Sequence, residues 1–321
     1  MNNTLYIIIP CYNEEEALPL TGRAMLEKLQ GLISDGKISP SSRILLVDDG
    51  SRDGTWRVIE RLAEEHPEYC GVKLSGNRGT QSAIMAGVDV ARRFADMAVT
   101  TDADLQDDIN AIDKMVEEYL GGSDVVYGVR SKRETDAFWK RFTAEAYYKL
   151  LALLDCGVVY NHSDFRLLSR RAMNALSEYP ERDLFIRGVV PRLGFRSSVV
   201  TYERRERRAG ETKYTARSLI KLALTGVVSL TLKPLRLIIY LGAAMLAVSA
   251  AIFIASLVTG VYRWRLVMSS VWFVGGVATF AVGVVGEYVG RIYTEVKRRP
   301  RYHIETLAGV DTKAVEEKDI G

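Results

Sequence analysis

Short apolar runs alternate along the first hundred residues with longer amphipathic stretches. Leu5-Tyr6-Ile7-Ile8-Ile9 is a β-rich run closed by Pro10, and Cys11-Tyr12-Asn13-Glu14-Glu15-Glu16 follows with the Asn and acids that suit a helix start. Ile44-Leu45-Leu46-Val47 ends in Asp48-Asp49-Gly50-Ser51 and gives way to helical periodicity from about Thr55 to Glu65. Val72-Lys73-Leu74 leads through Gly76-Asn77-Arg78-Gly79-Thr80-Gln81 to a helix ending near Arg93, and Met97-Ala98-Val99-Thr100-Thr101 runs into Asp102. Strands alternating with helices, with polar residues collected after each strand, predict an α/β fold with a doubly wound, mostly parallel sheet. Ligands bind such sheets outside the carboxyl ends of the strands, so the acids after the first, second and fourth strands are expected to share one crevice. No Gly-x-Gly-x-x-Gly follows the first strand, which argues against a nicotinamide or flavin site.

The last third changes character. Residues 237–262 and 266–286 carry no charge, and each stretch reaches the ~20 apolar residues that cross a ~30 Å hydrocarbon core. They predict two transmembrane helices, about 237–260 and 266–287, joined by a tight turn. Lys233 and Arg236 precede the pair, Arg291, Lys297, Arg298, Arg299 and Arg301 follow it, and only Arg263 and Arg265 lie between, so both termini are expected on the cytoplasmic side. Gly275, Gly276, Gly283, Gly286 and Gly290 give the second span small faces suited to helix packing or a homo-oligomer contact. Phe138-Trp139-Lys140-Arg141-Phe142 and the stretch Ser218 to Leu224 combine apolar and basic groups and fit either the headgroup layer or ordinary core packing. The expected domains are a cytosolic α/β unit over 1–214, a juxtamembrane segment over 215–236, the hairpin over 237–290, and a basic then disordered tail over 291–321.

Composition narrows the field. A net charge of +3 is too small to argue for nucleic acid. Cys11, Cys70 and Cys156 are odd in number and lack Cys-x-x-Cys spacing, which favours a reducing compartment, and Cys11 reads as a small core residue. The start of the chain lacks a basic segment followed by an apolar one, so no cleaved signal peptide is expected.

Asp102-Ala103-Asp104 sets two carboxylates one residue apart where a buried strand meets solvent. Hard oxygen ligands of this kind suit Mg²⁺ or Mn²⁺ that also coordinates a substrate phosphate, whereas the plainer reading is a solvated Asx-turn. Likewise, Asp48-Asp49-Gly50-Ser51 fits either a binding loop or a turn and helix cap.

Ile9-Pro10-Cys11-Tyr12-Asn13-Glu14, Val47 to Ser51, Asn77-Arg78-Gly79, Asp102 to Asp107, Asp164-Phe165-Arg166-Leu167 and Ala209-Gly210-Glu211-Thr212-Lys213-Tyr214 occur in an order that resembles the inverting family-2 glycosyltransferases of GT-A fold. Within them the chain looks most like the polyprenyl-phosphate glycosyltransferases, the group of bactoprenol glucosyltransferases and dolichyl-phosphate mannose synthases. The resemblance implies a nucleotide-sugar donor held by Pro10, Tyr12, Glu14, Asp49, Ser51, Arg78 and Asp102, and a divalent cation on Asp104 with Asp102 and Gln106. Such a cation would neutralise charge on a departing nucleoside diphosphate; Asp102 is open to a second role, on the ribose or in ordering the loop.

The hairpin points to a lipid acceptor, since a soluble acceptor would need no anchor whereas a polyprenyl phosphate has its reactive group at the membrane surface, and the resemblance implies the same acceptor. A phosphate monoester with a second pKa near ~6 is largely dianionic at neutral pH, so it needs cations to position it more than a base to activate it. Arg130, Lys132 and Arg133 form one candidate cluster, and Arg204, Arg207, Arg208 and Lys213 form another. Asp164 stands where other inverting members have a general base; with this acceptor it is open to orienting the acceptor or fixing Arg166, and a base role also stays open. Ser163 replaces a common Gly, and Asn-Arg-Gly-Thr-Gln stands for Asn-x-Gly-His-Gln; both departures bear on sugar choice and neither removes a charged group. UDP-glucose is the first expected donor, with GDP-mannose or an aminoarabinose donor as alternatives. A processive polysaccharide synthase is disfavoured because Gln30, Gln81 and Gln106 are never followed by Arg-Trp at the Gln-x-x-Arg-Trp spacing. A catalytically silent nucleotide-binding scaffold is the alternative of another class.

Overall fold

In this computed structural model the described residues are 3–130, 162–182, 184–203 and 264–310, with scattered positions between 238 and 251. Eight strands form one sheet: β1 (Leu5–Cys11), β2 (Arg43–Asp48), β3 (Tyr69–Leu74), β4 (Met97–Thr100), β5 (Val125–Arg130), β6 (His162–Ser169), β7 (Ser197–Tyr202) and β8 (Ile304–Ala308). Their order across the sheet is β7-β5-β6-β4-β1-β2-β3-β8. The helices are α1 (Leu18–Ser34), α2 (Thr55–Glu65), α3 (Thr80–Phe94), α4 (Ala111–Leu120), α5 (Arg170–Ser177), the single turn α6 (Ile186–Val189) and α7 (Trp264–Val296).

β1 is apolar throughout because both of its faces are covered, as expected for a central parallel strand. Leu5, Ile7 and Ile9 join a core layer with Leu18, Met25 and Leu29 of α1, whereas Tyr6 and Ile8 join the opposite layer with Ala83, Ile84 and Val88 of α3. Gly87 lets α3 lie this close: a Cβ there would stand 2.4 Å from Ile8 Cγ2.

β1 runs parallel to both β2 and β4, and β2 runs parallel to β3. The chain therefore winds outward from β1 to β3 and then returns to the other side of β1 for β4. That reversal opens a crevice at the carboxyl ends of β1 and β4. Beyond β4, β6 is antiparallel to both β4 and β5, and β7 is parallel to β5.

One expectation changes. The acids after β1 do not begin a helix, which starts only at Leu18 with Pro19 in its first turn. Instead Asn13, at φ 51°, and its neighbours bind the loop after β2: Asn13 N donates to Ser51 Oγ (2.9 Å), Arg52 N to Asn13 Oδ1 (2.9 Å), and Gly54 N to Glu15 Oε2 (2.7 Å). Part of the segment beyond 291 is regular. α7 continues to Val296, and Ile304–Ala308 adds antiparallel to β3 as the edge strand β8. Residues 131–161, 204–236 and 311–321 lie outside the described part, and with them fall Trp139, Phe142, both expected amphipathic segments and the rest of the tail. So does most of the expected first span.

Gly50 joins two of the crevice loops. It adopts φ 64°, and a Cβ there would stand 2.4 to 2.6 Å from the backbone of Gly76 and Asn77, which cannot swing aside as a side-chain tip could. Gly50→Ala is expected to destabilise the protein by about 1–3 kcal/mol through overpacking and backbone strain, read as a lowered thermal midpoint.

Candidate active site

The Asp102-Ala103-Asp104 turn projects from β4 because its middle residue is anchored inward. Ala103 is buried in the core, and its carbonyl accepts a 2.6 Å hydrogen bond from Thr21 Oγ1 of α1. Asp102 and Asp104, on either side of this anchor, are of intermediate exposure. Asp104 Oδ1 accepts from Gln106 N (3.0 Å), and Leu105 takes φ 53° to close the turn. Desolvation inside the crevice, reinforced by the carboxylates of Asp107, Asp164 and Asp104 and only partly opposed by Arg187, pushes Asp102 up to about 7. A neighbouring divalent cation would act in the opposite sense and favour the carboxylate.

Asp107 closes the same loop. It is buried and accepts from Arg130 Nη2 (3.2 Å) and from the Tyr202 hydroxyl (2.5 Å), while Arg130 Nε donates to Tyr202 Oη (3.3 Å). Burial works against the Arg130 charge, yet Asp107 and Tyr202 outweigh it and hold the guanidinium above its ordinary pKa. Arg130 thus sits at the end of β5, tied to the Asp-x-Asp loop.

Asp164, on β6, accepts four hydrogen bonds from the described residues. Its Oδ1 accepts from Arg166 Nη2 (2.9 Å) and Arg187 Nε (3.1 Å); its Oδ2 accepts from Arg187 Nη2 (2.8 Å) and Gln81 Nε2 (3.4 Å). Gln81 Oε1 in turn accepts from Ile186 N (3.2 Å), and the Asp164 carbonyl accepts from Thr100 Oγ1. The Arg166 side chain is only 1 % exposed. Burial lowers its pKa, and Asp164 is the main opposing influence.

The loop after β2 contributes the third wall. Asp49 N donates to the Cys11 carbonyl (2.8 Å), and its carboxylate accepts from Arg78 N (2.7 Å) and Gly79 N (2.8 Å), fixing the turn that begins α3. Asp48 is fully buried, with Oδ1 accepting from Ser51 N (3.0 Å). Burial raises the pKa of both acids. Pro10, Tyr12, Glu14 and Ser51 are of intermediate exposure around this turn, and the Arg78 side chain is exposed.

The structure thus brings Asp102, Asp104, Gln106, Asp164 and Arg130 to one end of the sheet, with Pro10, Tyr12, Glu14, Asp49, Ser51 and Arg78 on the loops beside them. Lys132, Arg133, Arg204, Arg207, Arg208 and Lys213 lie outside the described residues. Arg187, Gln81, Asp107 and Tyr202 have site contacts that the sequence pattern did not assign. Cys11 is a buried core thiol, as expected.

Among the described residues, no three His, Cys, Asp or Glu side chains form a preassembled metal cage. One or two carboxylates at the mouth of a crevice suit Mg²⁺, which keeps waters and takes most of its remaining ligands from substrate phosphates. Asp102 and Asp104 fit that requirement, because the crowded carboxylates leave a local excess of negative charge.

The family model for glycosyl transferase family 2 matches residues 6–177, the segment that builds the crevice from β1 to Asp164. The chain belongs to glycosyl transferase family 2. A second model, the GtrB C-terminal hairpin, matches residues 233–292. The transferase is 40 % identical over 306 residues to the uncharacterized glycosyltransferase YkoT of Bacillus subtilis (strain 168), covering 94 % of this chain and 91 % of that one. It is 37 % identical over 307 residues to the SfII prophage-derived bactoprenol glucosyl transferase of Shigella flexneri, covering 93 % and 96 %. A prophage bactoprenol glucosyl transferase homolog of Escherichia coli (strain K12) is 35 % identical over 310 residues, covering 94 % and 98 %. The expected family resemblance, GT-A fold and C-terminal hairpin are therefore borne out.

Proposed function

We propose that this transferase moves a hexose, most directly glucose from UDP-glucose, onto the phosphate of a polyprenyl phosphate such as undecaprenyl phosphate at the cytoplasmic face of the membrane. The observation that carries this reading is the Asp-x-Asp turn at the sheet's reversal point, in a chain aligned over nearly its whole length with bactoprenol glucosyl transferases. The nucleoside would rest against Pro10, Tyr12, Glu14, Asp49, Ser51 and Arg78. Mg²⁺ or Mn²⁺ held by Asp102 and Asp104, with Gln106 beside them, would supply charge neutralisation on the departing diphosphate.

The chain's own residues supply position. Thr21 and Gln106 N fix the height of the Asp-x-Asp turn, and Asp107 ties Arg130 to it. Arg130, Lys132 and Arg133, with Arg204, Arg207, Arg208 and Lys213, would receive the acceptor phosphate, whose dianion attacks the anomeric carbon from the face opposite the leaving group. The helix α7 supports a membrane location. Its stretch Phe273–Val296 is long and apolar enough to cross a bilayer, and Phe273, Phe280, Val282 and Val289 are more than half exposed. Together with the first span it would form the hairpin, with the catalytic unit and both termini cytosolic.

The test is transfer from a panel of radiolabelled nucleotide sugars to undecaprenyl phosphate in detergent, with and without Mg²⁺ or Mn²⁺. Metal-dependent labelling from UDP-glucose, with NMR couplings showing a β-linked product, is expected. Labelling from GDP-mannose or an aminoarabinose donor alone would change the sugar, a retained configuration would overturn single displacement, and donor binding without lipid product would favour the scaffold reading.

A further inference from the structure

Arg187 has no counterpart in the motifs that identify the family site, yet it makes the only two-pronged ion pair with Asp164 among the described residues. Its Nε and Nη2 meet the two carboxylate oxygens at 3.1 and 2.8 Å, while the neighbouring Arg166 reaches only Oδ1. The two arginines differ in setting. Arg166 is 1 % exposed and belongs to the sheet interior, whereas the Arg187 side chain is 31 % exposed and acts electrostatically on Asp102 of the Asp-x-Asp turn.

The carrier of Arg187 is also held. Ile186 N donates to Gln81 Oε1, whose amide nitrogen donates to Asp164 Oδ2, so β6, α3 and α6 meet at one carboxylate. With two donors on each oxygen, the Asp164 lone pairs are committed to orientation rather than to proton abstraction. A guanidinium oriented by a two-pronged carboxylate contact, with about a third of its side chain exposed, is suited to binding a further anion.

We propose that Arg187 receives the acceptor phosphate and that Asp164 is its orienting anchor rather than a general base. This rests on the proposed transfer to a lipid phosphate. The ligand class is a phosphate monoester dianion, and Arg187 adds to the basic clusters already expected to hold it. A purely structural ion pair between β6 and α6 is the competing account.

The experiment compares the full-length protein with Arg187→Gln, Arg187→Lys and Asp164→Asn, using UDP-glucose, or whichever donor the wild type accepts, and undecaprenyl phosphate in detergent. KM for each substrate, kcat and the thermal midpoint are read. Arg187→Gln is expected to raise KM for undecaprenyl phosphate about tenfold to hundredfold, as for loss of a charge-assisted contact, with the donor KM within about twofold. Arg187→Lys, which keeps the charge but loses the fork, is expected in between. Asp164→Asn is expected to raise the acceptor KM as well. A fall in kcat at unchanged acceptor KM in Asp164→Asn would restore the base role. An unchanged acceptor KM in Arg187→Gln, or a lowered midpoint with both KM values moved alike, would overturn the assignment. Wild-type transfer in the same assay keeps these failures separate from failure of the function itself.

Discussion

Asp104→Asn is expected to remain folded and to lose transfer by about 10²–10³-fold, the scale of removing one preorganised electrostatic contact to developing charge. The substitution keeps side-chain volume and an Oδ1 acceptor for the 3.0 Å bond from Gln106 N, so the turn retains its shape. Its inward anchor is also untouched, since Ala103 and Thr21 hold the loop from the other side. What changes is one negative charge at the crevice mouth. Turnover with saturating Mg²⁺ or Mn²⁺, measured beside the thermal midpoint, separates these effects. Undiminished turnover would remove Asp104 from the site, and a lost midpoint would make it structural.

Much of this crevice was legible because its signals are local. An apolar run followed by acids reads directly as a strand ending in a polar loop, and observed β2, α2 and β4 fall within a residue or two of the expected bounds. Residues 102 and 104 needed only their spacing to be recognised as a pair. The interior partners were not legible for the opposite reason. Arg187 lies 23 residues from Asp164 along the chain, and Gln81 lies 83 away, and no periodicity links them. Asp107 stood inside a recognised motif, but its partners Arg130 and Tyr202 come from β5 and β7, adjacent in space only because the sheet inserts β6 between β4 and β5. Long-range pairing of that kind is set by topology, and a single sequence carries topology only through connection lengths and strand polarity.

The C-terminal strand shows the same limit and has the larger consequence for stability. Ile304-Glu305-Thr306-Leu307-Ala308 carries two charged or polar residues in five and follows a basic stretch, so composition reads it as tail. In the fold it covers the exposed edge of β3, with Val72 opposite Leu307 and Lys73 opposite Thr306. Ile304, Leu307 and Tyr302 pack against the core layer that contains α3. The approach is pinned as well: Arg301 Nε donates to the Glu181 carbonyl (2.7 Å), Arg182 N donates to both Glu295 oxygens (3.1 and 3.0 Å), and the Tyr302 hydroxyl donates to Asp89. Truncation after Arg299 keeps Glu295 but would strip the β8 pairing with the Arg301 and Tyr302 contacts, and leave β3 as a bare, apolar edge, which is a template for aggregation. Burial of two to three partly covered apolar side chains supports a loss of about 3 kcal/mol, or a drop of about 6–12 °C in thermal midpoint for a domain of this size. Truncation after Val310, which keeps β8, is the matched control. Equal midpoints for the two truncated proteins would show that the strand adds nothing to the sheet; a loss confined to the shorter one would make residues 300–310 part of the catalytic fold, reached only after the chain has passed through α7.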